Sequence, residues 1–538
     1  MTHPHLLSAM SEPEFYPNRP DHVEVVQTHI SFIFIAGDVV YKVKKAVNFG
    51  FLDFTTLEQR RYYCEEELRL NRRLAPEIYL DVVEIVERED GTLALGTSAA
   101  RRGNGPADSA STFPIVDYAV VMRRLPEERM LKRLLPADKV PLATMERIAE
   151  RVARFHAEAD TGGAIDEVGS LETVWHNHEE NFEQTAEYVG ITIPERQYAF
   201  ISASARAFLE TRAALLRRRV AEHRIRDCHG DLHIEHICLL DDSIVIFDCI
   251  EFNERFRFED VAAEVAFLAM DLDFNGYAPY ADAFVDAYVA HSGDTEIRLL
   301  LNFYESYYAY VRGKVVGFRI HDTAIAEADR NAARDLAARY FDLAYAYASR
   351  LDRPTLILTC GLMGTGKSVL AGALASRLGA EWLQMDVLRK ELLDIPADEH
   401  HFEPFGQGIY SADVTRRTYA GALARAEALL LAGRSVIIDA SYRSREDRLE
   451  ARSVAERLEA DFRVVECQCP EDVLRERLDA RLGESGQASD GRWEIYTAQK
   501  ASFEAATELP ASERIVVNTA ETSEACVDAV LRWLRGIG

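Results

Sequence analysis

The chain has 538 residues, of which 48% are hydrophobic and 28% are charged, and its formal net charge is −27. That length exceeds what one hydrophobic core usually organises, so we expect roughly two to four domains. The composition excludes a collagen-like or wholly disordered protein. The acidic charge opposes binding to bulk nucleic acid and to anionic membranes.

The spacing of the cysteines and the lengths of the apolar runs bear on where in the cell the protein acts. Eight cysteines are scattered along the chain without a C-x-x-C pair, which argues against a structural zinc site or a disulfide framework. The first residues lack a basic segment followed by an apolar one, and no run of 18 apolar residues occurs later. We therefore expect a cytoplasmic protein that does not associate with membranes.

Strand patterns dominate the beginning of the chain, and helix patterns follow them. Four prolines from Pro4 to Pro20 predict a loosely packed lead-in. The basic run Arg217-Arg218-Arg219 lacks interleaved aromatic residues, so we expect a solvated helix face there. Periodicity and turn residues predict a helix at 55–74, mainly helices from 141 to 226, and strands at 23–26, 31–35, 39–44, 79–86, 93–95 and 117–122.

A loop between two helical tracts carries the run His229-Gly230-Asp231, and an apolar strand ends in Asp248, 17 residues after Asp231. In kinase active sites one carboxylate accepts the proton of the acceptor hydroxyl, and a second holds Mg²⁺ on the nucleotide phosphates. This stretch resembles the signature of the aminoglycoside phosphotransferase and choline kinase-like family. The resemblance covers about residues 22–345 and implies an α+β, protein kinase-like bilobal domain.

The resemblance implies roles for individual residues. Asp231 would be the catalytic base, and Asp248 would be a ligand of Mg²⁺. The strands at 31–35 and 39–44 are predicted to form an antiparallel hairpin. Lys42, on its second strand, would contact the α- and β-phosphates of ATP. Either Glu66 or Glu67 would orient Lys42, and the sequence does not decide between these two glutamates.

The resemblance also points to the adenine and acceptor sites, and it includes one departure from the family pattern. Met122 would lie where adenine rests against the backbone, and Asp260 and Glu264 would line or brace the acceptor site. His236 stands where the family has a second metal-binding Asn, although Mg²⁺ prefers oxygen ligands to imidazole. Catalysis could therefore use one metal, use Glu235 instead, or be weak.

Helical spacing from Ala324 to Arg350 ends before Pro354, which predicts a domain boundary near 351–354. The predicted organisation is a lead-in at 1–21, a kinase-like domain at 22–350 with an N-lobe at 22–125 and a C-lobe at 126–350, and a second domain at 354–538.

The second domain begins with the most specific motif of the chain. The segment from Gly361 to Ser368 fits G-x-x-x-x-G-K-[ST], with an apolar strand before it and a helix after it. In such a loop, backbone N–H groups and the helix N-terminus bind phosphate, the lysine reaches the β- and γ-phosphates, and the hydroxyl holds Mg²⁺. The residues predicted to bind ATP are Gly361, Gly364, Thr365, Gly366, Lys367 and Ser368.

Two further strands of this domain end in acidic residues. A short strand precedes Asp386, which places its carboxylate at the sheet edge where parallel sheets bind ligands. Asp386 is therefore a candidate base for an acceptor hydroxyl, and Arg389 could hold an anionic group of the acceptor. Asp439 ends a buried strand, as does the Mg²⁺-organising acid of P-loop proteins.

A helix near the end of the chain carries Arg477 and Arg481 four residues apart, and hence on one face. It leads into a Gly/Ser-rich segment at 483–491 that is typical of a mobile lid, so both arginines could neutralise the transferring phosphoryl group. Residues 355–538 resemble the zeta toxin, gluconate kinase and polynucleotide kinase-like group of small P-loop kinases. The resemblance implies an α/β P-loop domain with a parallel sheet.

The whole chain is similar to bifunctional phosphotransferase/ATP-binding proteins. This similarity implies that one or both domains phosphorylate hydroxyl groups of small molecules with ATP and Mg²⁺. One alternative is a regulatory ATP-binding switch whose first domain is a ligand-binding pseudokinase. Another is a nucleotide or nucleic-acid end kinase, or a toxin-like kinase, that acts through the second domain. The sequence leaves the acceptors and the oligomeric state open.

Overall fold

The computed structural model describes residues 3–98, 113–241, 243–322, 325–396, 407–481 and 493–537. None of the helices in this part of the chain is long and apolar enough to cross a membrane. The chain forms two compact units: the first contains Met1–Glu183, Arg212–Ile297 and Tyr307–Val311, and the second contains Gln184–Thr211, Arg298–Ser306 and Arg312–Gly538. The predicted domain limits at 22–350 and 354–538 stay a prediction.

The first unit begins with an antiparallel sheet of order β1-β2-β3-β6-β4-β5. The predicted hairpin is β2 and β3, joined by a turn in which Gly37 has φ +69°. Helix α2 packs on β4 and β6, and Thr56 begins it through a reciprocal capping box with Gln59. The bounds are α1 (Leu6–Met10), α2 (Leu57–Asn71), β1 (Glu24–Gln27), β2 (Ser31–Ala36), β3 (Val39–Lys44), β4 (Tyr79–Glu87), β5 (Leu93–Ser98) and β6 (Ile115–Arg123).

The prediction of a loosely packed lead-in is wrong. Leu6 and Met10 of α1 are fully buried and pack with Tyr16 and Phe34 in the core beside the sheet. The Tyr16 hydroxyl donates a hydrogen bond of 2.6 Å to the carbonyl of Met10. Pro4 and Pro17 lie in turns and Pro13 begins a short 3-10 helix, so the number of prolines did not indicate loose packing.

Helices dominate from Leu131 to Ser349, a stretch that includes the predicted helical tracts at 141–226 and 324–350. They are α3 (Leu131–Leu134), α4 (Thr144–Glu158), α5 (Ala164–Val168), α6 (Leu171–Thr185), α7 (Glu195–Thr211), α8 (Ala213–Ala221), α9 (Val261–Phe274), α10 (Ala278–Ser292), α11 (Ile297–Gly317) and α12 (Glu327–Ser349). Two short antiparallel pairs lie among them, β7 (Ile225–Asp227) with β10 (Phe258–Asp260) and β8 (Ile237–Leu239) with β9 (Ile244–Ile246). These pairs fix both ends of the loop that carries Asp231.

The second unit contains a parallel sheet of order β12-β13-β11-β14-β15. Its central strand β11 is buried along its whole length, which suits a strand covered on both faces. This sheet confirms the predicted α/β P-loop fold. The bounds are β11 (Thr355–Cys360), α13 (Lys367–Leu378), β12 (Glu381–Gln384), α14 (Met385–Leu392), α15 (Ala412–Leu431), β13 (Val436–Asp439), α16 (Arg445–Arg457), β14 (Asp461–Gln468), α17 (Glu471–Arg481), α18 (Trp493–Ala501), β15 (Arg514–Asn518) and α19 (Ser523–Leu534).

Candidate active sites

Glycine geometry and one buried carboxylate hold the loop that carries Asp231. Gly230 has φ +81°, and a Cβ atom there would lie 2.6 Å from the carbonyl oxygen of Phe256. Glu264 of α9 accepts hydrogen bonds of 2.7 Å from the backbone N–H groups of His229 and Gly230. His156 contacts the other oxygen of Glu264 at 2.6 Å. Glu264 therefore holds the main chain of this loop from the buried side.

Lys42 on β3 connects the sheet to the loop that follows β9. Its Nζ atom lies 2.6 Å from Oδ1 of Asp248 and 2.9 Å from Oε1 of Glu67 on α2. Burial alone would lower the pKa of the Lys42 ammonium, but Asp248, Glu67 and Glu251 outweigh that effect and hold the pKa well above its usual value. Lys42 is therefore a cation held between two carboxylates.

The structure distinguishes the two glutamates that the sequence left open. Glu67 is fully buried and contacts Lys42, whereas Glu66 pairs with Arg69 at 2.7 Å on an exposed face of the helix. Glu67 follows Cys64 by three residues and precedes Asn71 by four, so it lies on the buried stripe of α2. That spacing was a usable signal for choosing Glu67.

A second buried lysine, which sequence reasoning missed, shares Glu67. Nζ of Lys44 lies 2.8 Å from Oε2 of Glu67 and also contacts Oε1 of Glu251. Lys44 follows Lys42 by two residues on the same strand, so both side chains leave the same face of the sheet. This alternation was the available signal.

Asp248 adopts φ +65°, and its backbone N–H donates a hydrogen bond of 3.1 Å to the hydroxyl of Tyr79. Burial alone would raise the pKa of its carboxyl, but Lys42 and His236 hold that pKa far below its usual value. The Asp248 carboxylate therefore stays ionised at neutral pH, as a metal ligand must.

The imidazole of His236 lies between the two aspartates. Its Nδ1 atom is 2.9 Å from the carbonyl oxygen of Asp231, and its Nε2 atom is 3.5 Å from Oδ2 of Asp248. Oδ1 of Asp231 lies 3.6 Å from Nε2 of His233. Asp231, the predicted base, and Asp248, the predicted metal ligand, thus both contact His236, the residue that differs from the family pattern.

Asp260 and Met122 lie in different parts of the first unit. Asp260 is buried, accepts a hydrogen bond from the N–H of Ala262 at the start of α9, and receives two hydrogen bonds of 2.6 and 2.7 Å from Arg219. It therefore braces the helix that carries Glu264. Met122 is half-buried near the end of β6, opposite Val40.

The expectation of a solvated face at Arg217-Arg218-Arg219 is wrong for Arg219. Its side chain is fully buried and also donates hydrogen bonds of 3.0 and 2.8 Å to Asp294. Arg217 and Arg218 are exposed. Because Asp260 and Asp294 are distant in sequence from Arg219, the local pattern gave no sign of this buried network.

In the second unit, the phosphate-loop motif adopts the geometry that its glycines permit. Gly361, Gly364 and Gly366 have φ values of +137°, +78° and +80°. A Cβ atom at Gly361 would lie 2.5 Å from the carbonyl oxygen of Cys467. Thr365 is buried and donates a hydrogen bond of 2.7 Å to the carbonyl of Leu362. The loop therefore forms a narrow cradle of backbone at the start of α13.

Lys367, Ser368 and Asp439 converge beside this cradle. Nζ of Lys367 donates a hydrogen bond of 2.8 Å to the carbonyl of Leu362, and burial lowers the pKa of this ammonium. The Ser368 side chain hydrogen-bonds the Asp439 carboxylate, whose pKa burial raises. A hydroxyl and a carboxylate are oxygen donors of the kind that Mg²⁺ prefers, so these residues fit that ion.

The other predicted residues of the second unit lie near the sheet edge or the loop. Asp386, in the first turn of α14, forms an ion pair with the buried Arg389. Arg477 donates a hydrogen bond of 2.6 Å to the carbonyl of Thr519, and its Nη1 atom would be 3.4 Å from a Cβ atom at Gly366. Arg481 ends α17, but its side chain and the predicted lid at 483–491 lie outside the described residues.

One contact on the phosphate loop was not predicted. Oε1 of Gln499 on α18 accepts a hydrogen bond of 3.1 Å from the backbone N–H of Met363. A single glutamine in a helix gives no sequence signal for such a contact.

Two family models match the chain. One described as a phosphotransferase enzyme family matches residues 57–300, and one described as an AAA domain matches residues 356–506. Together with the folds and the sites, they define a protein that joins a kinase-like phosphotransferase domain to a P-loop kinase domain. These matches confirm the two-part resemblance that the sequence suggested.

Proteins from mycobacteria are similar to this chain over most of its length. The chain is 31% identical over 470 residues to Uncharacterized protein Rv2004c of Mycobacterium tuberculosis and, equally, to Uncharacterized protein Mb2027c of Mycobacterium bovis. Each match covers 87% of this chain and 88% of the relative. The chain belongs to the family of these mycobacterial proteins.

Two solved structures are similar to portions of this chain. A choline/ethanolamine kinase family protein from Mesorhizobium loti is 13% identical with a TM-score of 0.36, covering 63% of this chain and 98% of that chain. A gluconokinase from Sinorhizobium meliloti 1021 is 22% identical with a TM-score of 0.26, covering 34% of this chain and 93% of that chain.

Proposed function

We propose that both kinase-like sites transfer a phosphoryl group from ATP to a hydroxyl group of a small molecule. The observation that carries this proposal is the position of Lys42, which contacts Glu67 and Asp248 at once. A lysine held by a helix glutamate beside a metal-binding aspartate is the arrangement that kinases use to position nucleotide phosphates.

In the first site, Asp231 acts as the base that accepts the proton of the acceptor hydroxyl. Its side chain is about one-third exposed, which leaves room for an acceptor, and Glu264 braces its loop from the protein interior. Positioning of this kind supplies much of the rate enhancement in phosphoryl transfer. Met122 lies against adenine, and Asp260 acts through α9 rather than on the acceptor itself.

The first site fits ATP better than it fits Mg²⁺. Lys42 supplies a fixed cation for the phosphates, and Asp248 supplies a carboxylate. His236, however, offers a nitrogen where Mg²⁺ requires oxygen. This mismatch favours a second candidate for this unit alone, a ligand-binding pseudokinase that regulates the P-loop unit.

In the second site, the cradle of Gly361, Gly364, Thr365 and Gly366 binds the ATP phosphates, and Lys367 leaves its contact with Leu362 to reach them. Ser368 and Asp439 hold Mg²⁺, which when bound neutralises charge on the phosphates. Asp386 accepts the proton of the acceptor hydroxyl. Arg389 holds an anionic group of the acceptor, and Arg477 and Arg481 stabilise the transferring group.

We also propose that each activity belongs to one domain, at 22–350 and at 354–538, and that the protein acts in the cytoplasm. Substituting Asp231→Asn and Lys367→Met separately tests the two sites. The measurement is ATP turnover against a panel of sugars, aminoglycosides, nucleosides and choline. The exposed residues Lys139 and Arg416 provide the control variants Lys139→Met and Arg416→Met.

Each variant should abolish the acceptor-dependent turnover of its own site and leave the other intact, while the controls match the parent protein. Turnover unaffected by either variant would end the two-kinase proposal. Loss with Lys367→Met alone would make the first unit a binding module.

A further inference from the structure

The loop that carries Asp231 concentrates groups that can bind metals. One donor atom from each of Asp231, His233 and His236 lies within 4.8 Å of the others. A fourth donor, Oδ2 of Asp248, lies 3.5 Å from Nε2 of His236. His236 therefore lies beside donor atoms of Asp231, His233 and Asp248.

The hydrogen bond at one ring nitrogen orients the other nitrogen of His236. Nδ1 lies 2.9 Å from the carbonyl oxygen of Asp231, and because a carbonyl only accepts, Nδ1 carries the hydrogen. In the neutral ring, Nε2 therefore presents its electron pair towards Asp248. Histidines that bind metals are usually held in this way, with the second nitrogen donating to a carbonyl or a carboxylate.

The two oxygens of Asp248 have different neighbours. Lys42 contacts Oδ1 at 2.6 Å, whereas Oδ2 faces His236. An electron pair on nitrogen opposite a carboxylate oxygen is unfavourable unless a proton or a metal ion lies between them. Two donors that are each about 2.1 Å from one ion are about 3.0 to 3.4 Å apart at octahedral or tetrahedral angles. The observed separation of 3.5 Å is close to that range.

The chemistry of the donors selects the ion. Mg²⁺ takes oxygen ligands almost exclusively, whereas imidazole is a good ligand for divalent transition-metal ions such as Fe²⁺, Co²⁺, Ni²⁺ and Zn²⁺. We propose that Nε2 of His236 and Oδ2 of Asp248 bind a divalent transition-metal ion of this class in preference to Mg²⁺. Asp231 and His233 each have a donor atom within 4.8 Å of one from His236.

This metal site does not depend on phosphoryl transfer, because its ligands follow from the contacts of His236 and Asp248 alone. It can therefore be tested by binding alone. The full-length protein is stripped of metal and titrated with CoCl₂ without nucleotide, so that a change of the visible absorption from that of hydrated Co²⁺ reports binding to protein ligands. Competition with MgCl₂ measures the preference, and His236→Asn and His236→Gln remove the nitrogen. The exposed His29 provides the control variant His29→Asn.

We expect one Co²⁺ ion per chain with a visible band that MgCl₂ displaces only at large excess. His236→Asn should lose the band and bind Co²⁺ at least about tenfold more weakly, while its affinity for Mg²⁺ stays equal or rises. His29→Asn should behave as the parent protein. Unchanged Co²⁺ affinity and absorption in both folded His236 variants would overturn the proposal.

A measurement on the parent protein guards against variants that do not fold. Mn²⁺ bound to the unaltered chain should show, in its electron spin-echo spectrum, modulation by an imidazole ¹⁴N nucleus. A spectrum without nitrogen coupling would also overturn the proposal, because it would leave His236 outside the ligand set.

Discussion

Nζ of Lys44 lies 2.8 Å from Oε2 of Glu67, whose other oxygen is 2.9 Å from Lys42. One buried carboxylate is thus shared by two lysines of one strand. Lys44 also contacts Glu251, three residues after Asp248. Lys42, which is predicted to hold phosphate, is therefore positioned in part by Lys44 through their shared Glu67. The ion pairs of Lys44 are with Glu67 and Glu251, not with Asp231 or Asp248.

Removal of Lys44 should destabilise the first unit strongly. In Lys44→Met, Glu67 and Glu251 lose a buried partner, and an uncompensated buried charge costs about 3 to 5 kcal/mol. Hydrogen–deuterium exchange of peptides from β3 and α2 would measure the loss of local stability. The double variant Lys44→Met/Glu251→Gln should recover part of it, because it removes one of the stranded carboxyl groups. Protection unchanged in Lys44→Met would contradict this account.

Two adjacent glutamates provide a matched test of the nucleotide site. Glu67→Gln removes a charge that holds Lys42, so acceptor-dependent ATP turnover by the first unit should fall about 10- to 100-fold. Glu66→Gln changes only a surface pair with Arg69 and should leave turnover within about twofold. Equal losses in the two variants would remove Glu67 from its positioning role.

The sequence predicted the order of the elements well because local signals specify them. Glycine positions define the phosphate loop, alternation defines β2 and β3, and a strand-end acid marks Asp248. The choice between Glu66 and Glu67 depended on which face of α2 packs inward, and this is a tertiary property. The burial of Arg219 depended on Asp260 and Asp294, which are distant in sequence. Sequence motifs therefore predicted the candidate site residues, whereas the buried contacts that hold those residues in place could be identified only from the folded structure.

The basic run on α8 allows a direct comparison of buried and exposed arginines. Arg219→Met leaves Asp260 and Asp294 buried without their partner and should cost about 3 to 5 kcal/mol. Arg217→Met, two residues away on the exposed face, should cost less than about 0.5 kcal/mol. Urea unfolding of both variants, followed by circular dichroism, measures the difference. Similar midpoints would contradict the buried network.

Acid should weaken the first unit through His178 of α6. Burial against Phe182 and Tyr307 lowers the pKa of this imidazole to about 3. Since the folded pKa lies below the unfolded value of about 6.5, the stabilising contribution is complete above pH 6.5 and is lost as the pH falls towards 3. The loss at pH 5 relative to pH 7.5 should be about 2 kcal/mol.

Comparison with His178→Gln isolates this contribution from those of other titrating groups. The variant should be less stable at pH 7.5, but its unfolding free energy should depend less on pH between 7.5 and 5 than that of the parent protein. Parallel pH profiles for the two proteins, measured by urea unfolding, would show that His178 does not titrate in this way.

Gly230, which precedes Asp231, has both a positive φ angle and no room for a Cβ atom. Gly91 has nearly the same φ angle, +79° against +81°, but a Cβ atom there would meet nothing within 4 Å. Gly91→Ala should therefore report the cost of the left-handed conformation alone, about 1 kcal/mol. Gly230→Ala adds the approach of 2.6 Å to the carbonyl of Phe256, so it should cost at least about 1 kcal/mol more. It should also reduce turnover by the first unit, because relief of the clash moves Asp231 away from its position. If the two alanine variants were equally stable and equally active, the close packing of this loop would not position the proposed base.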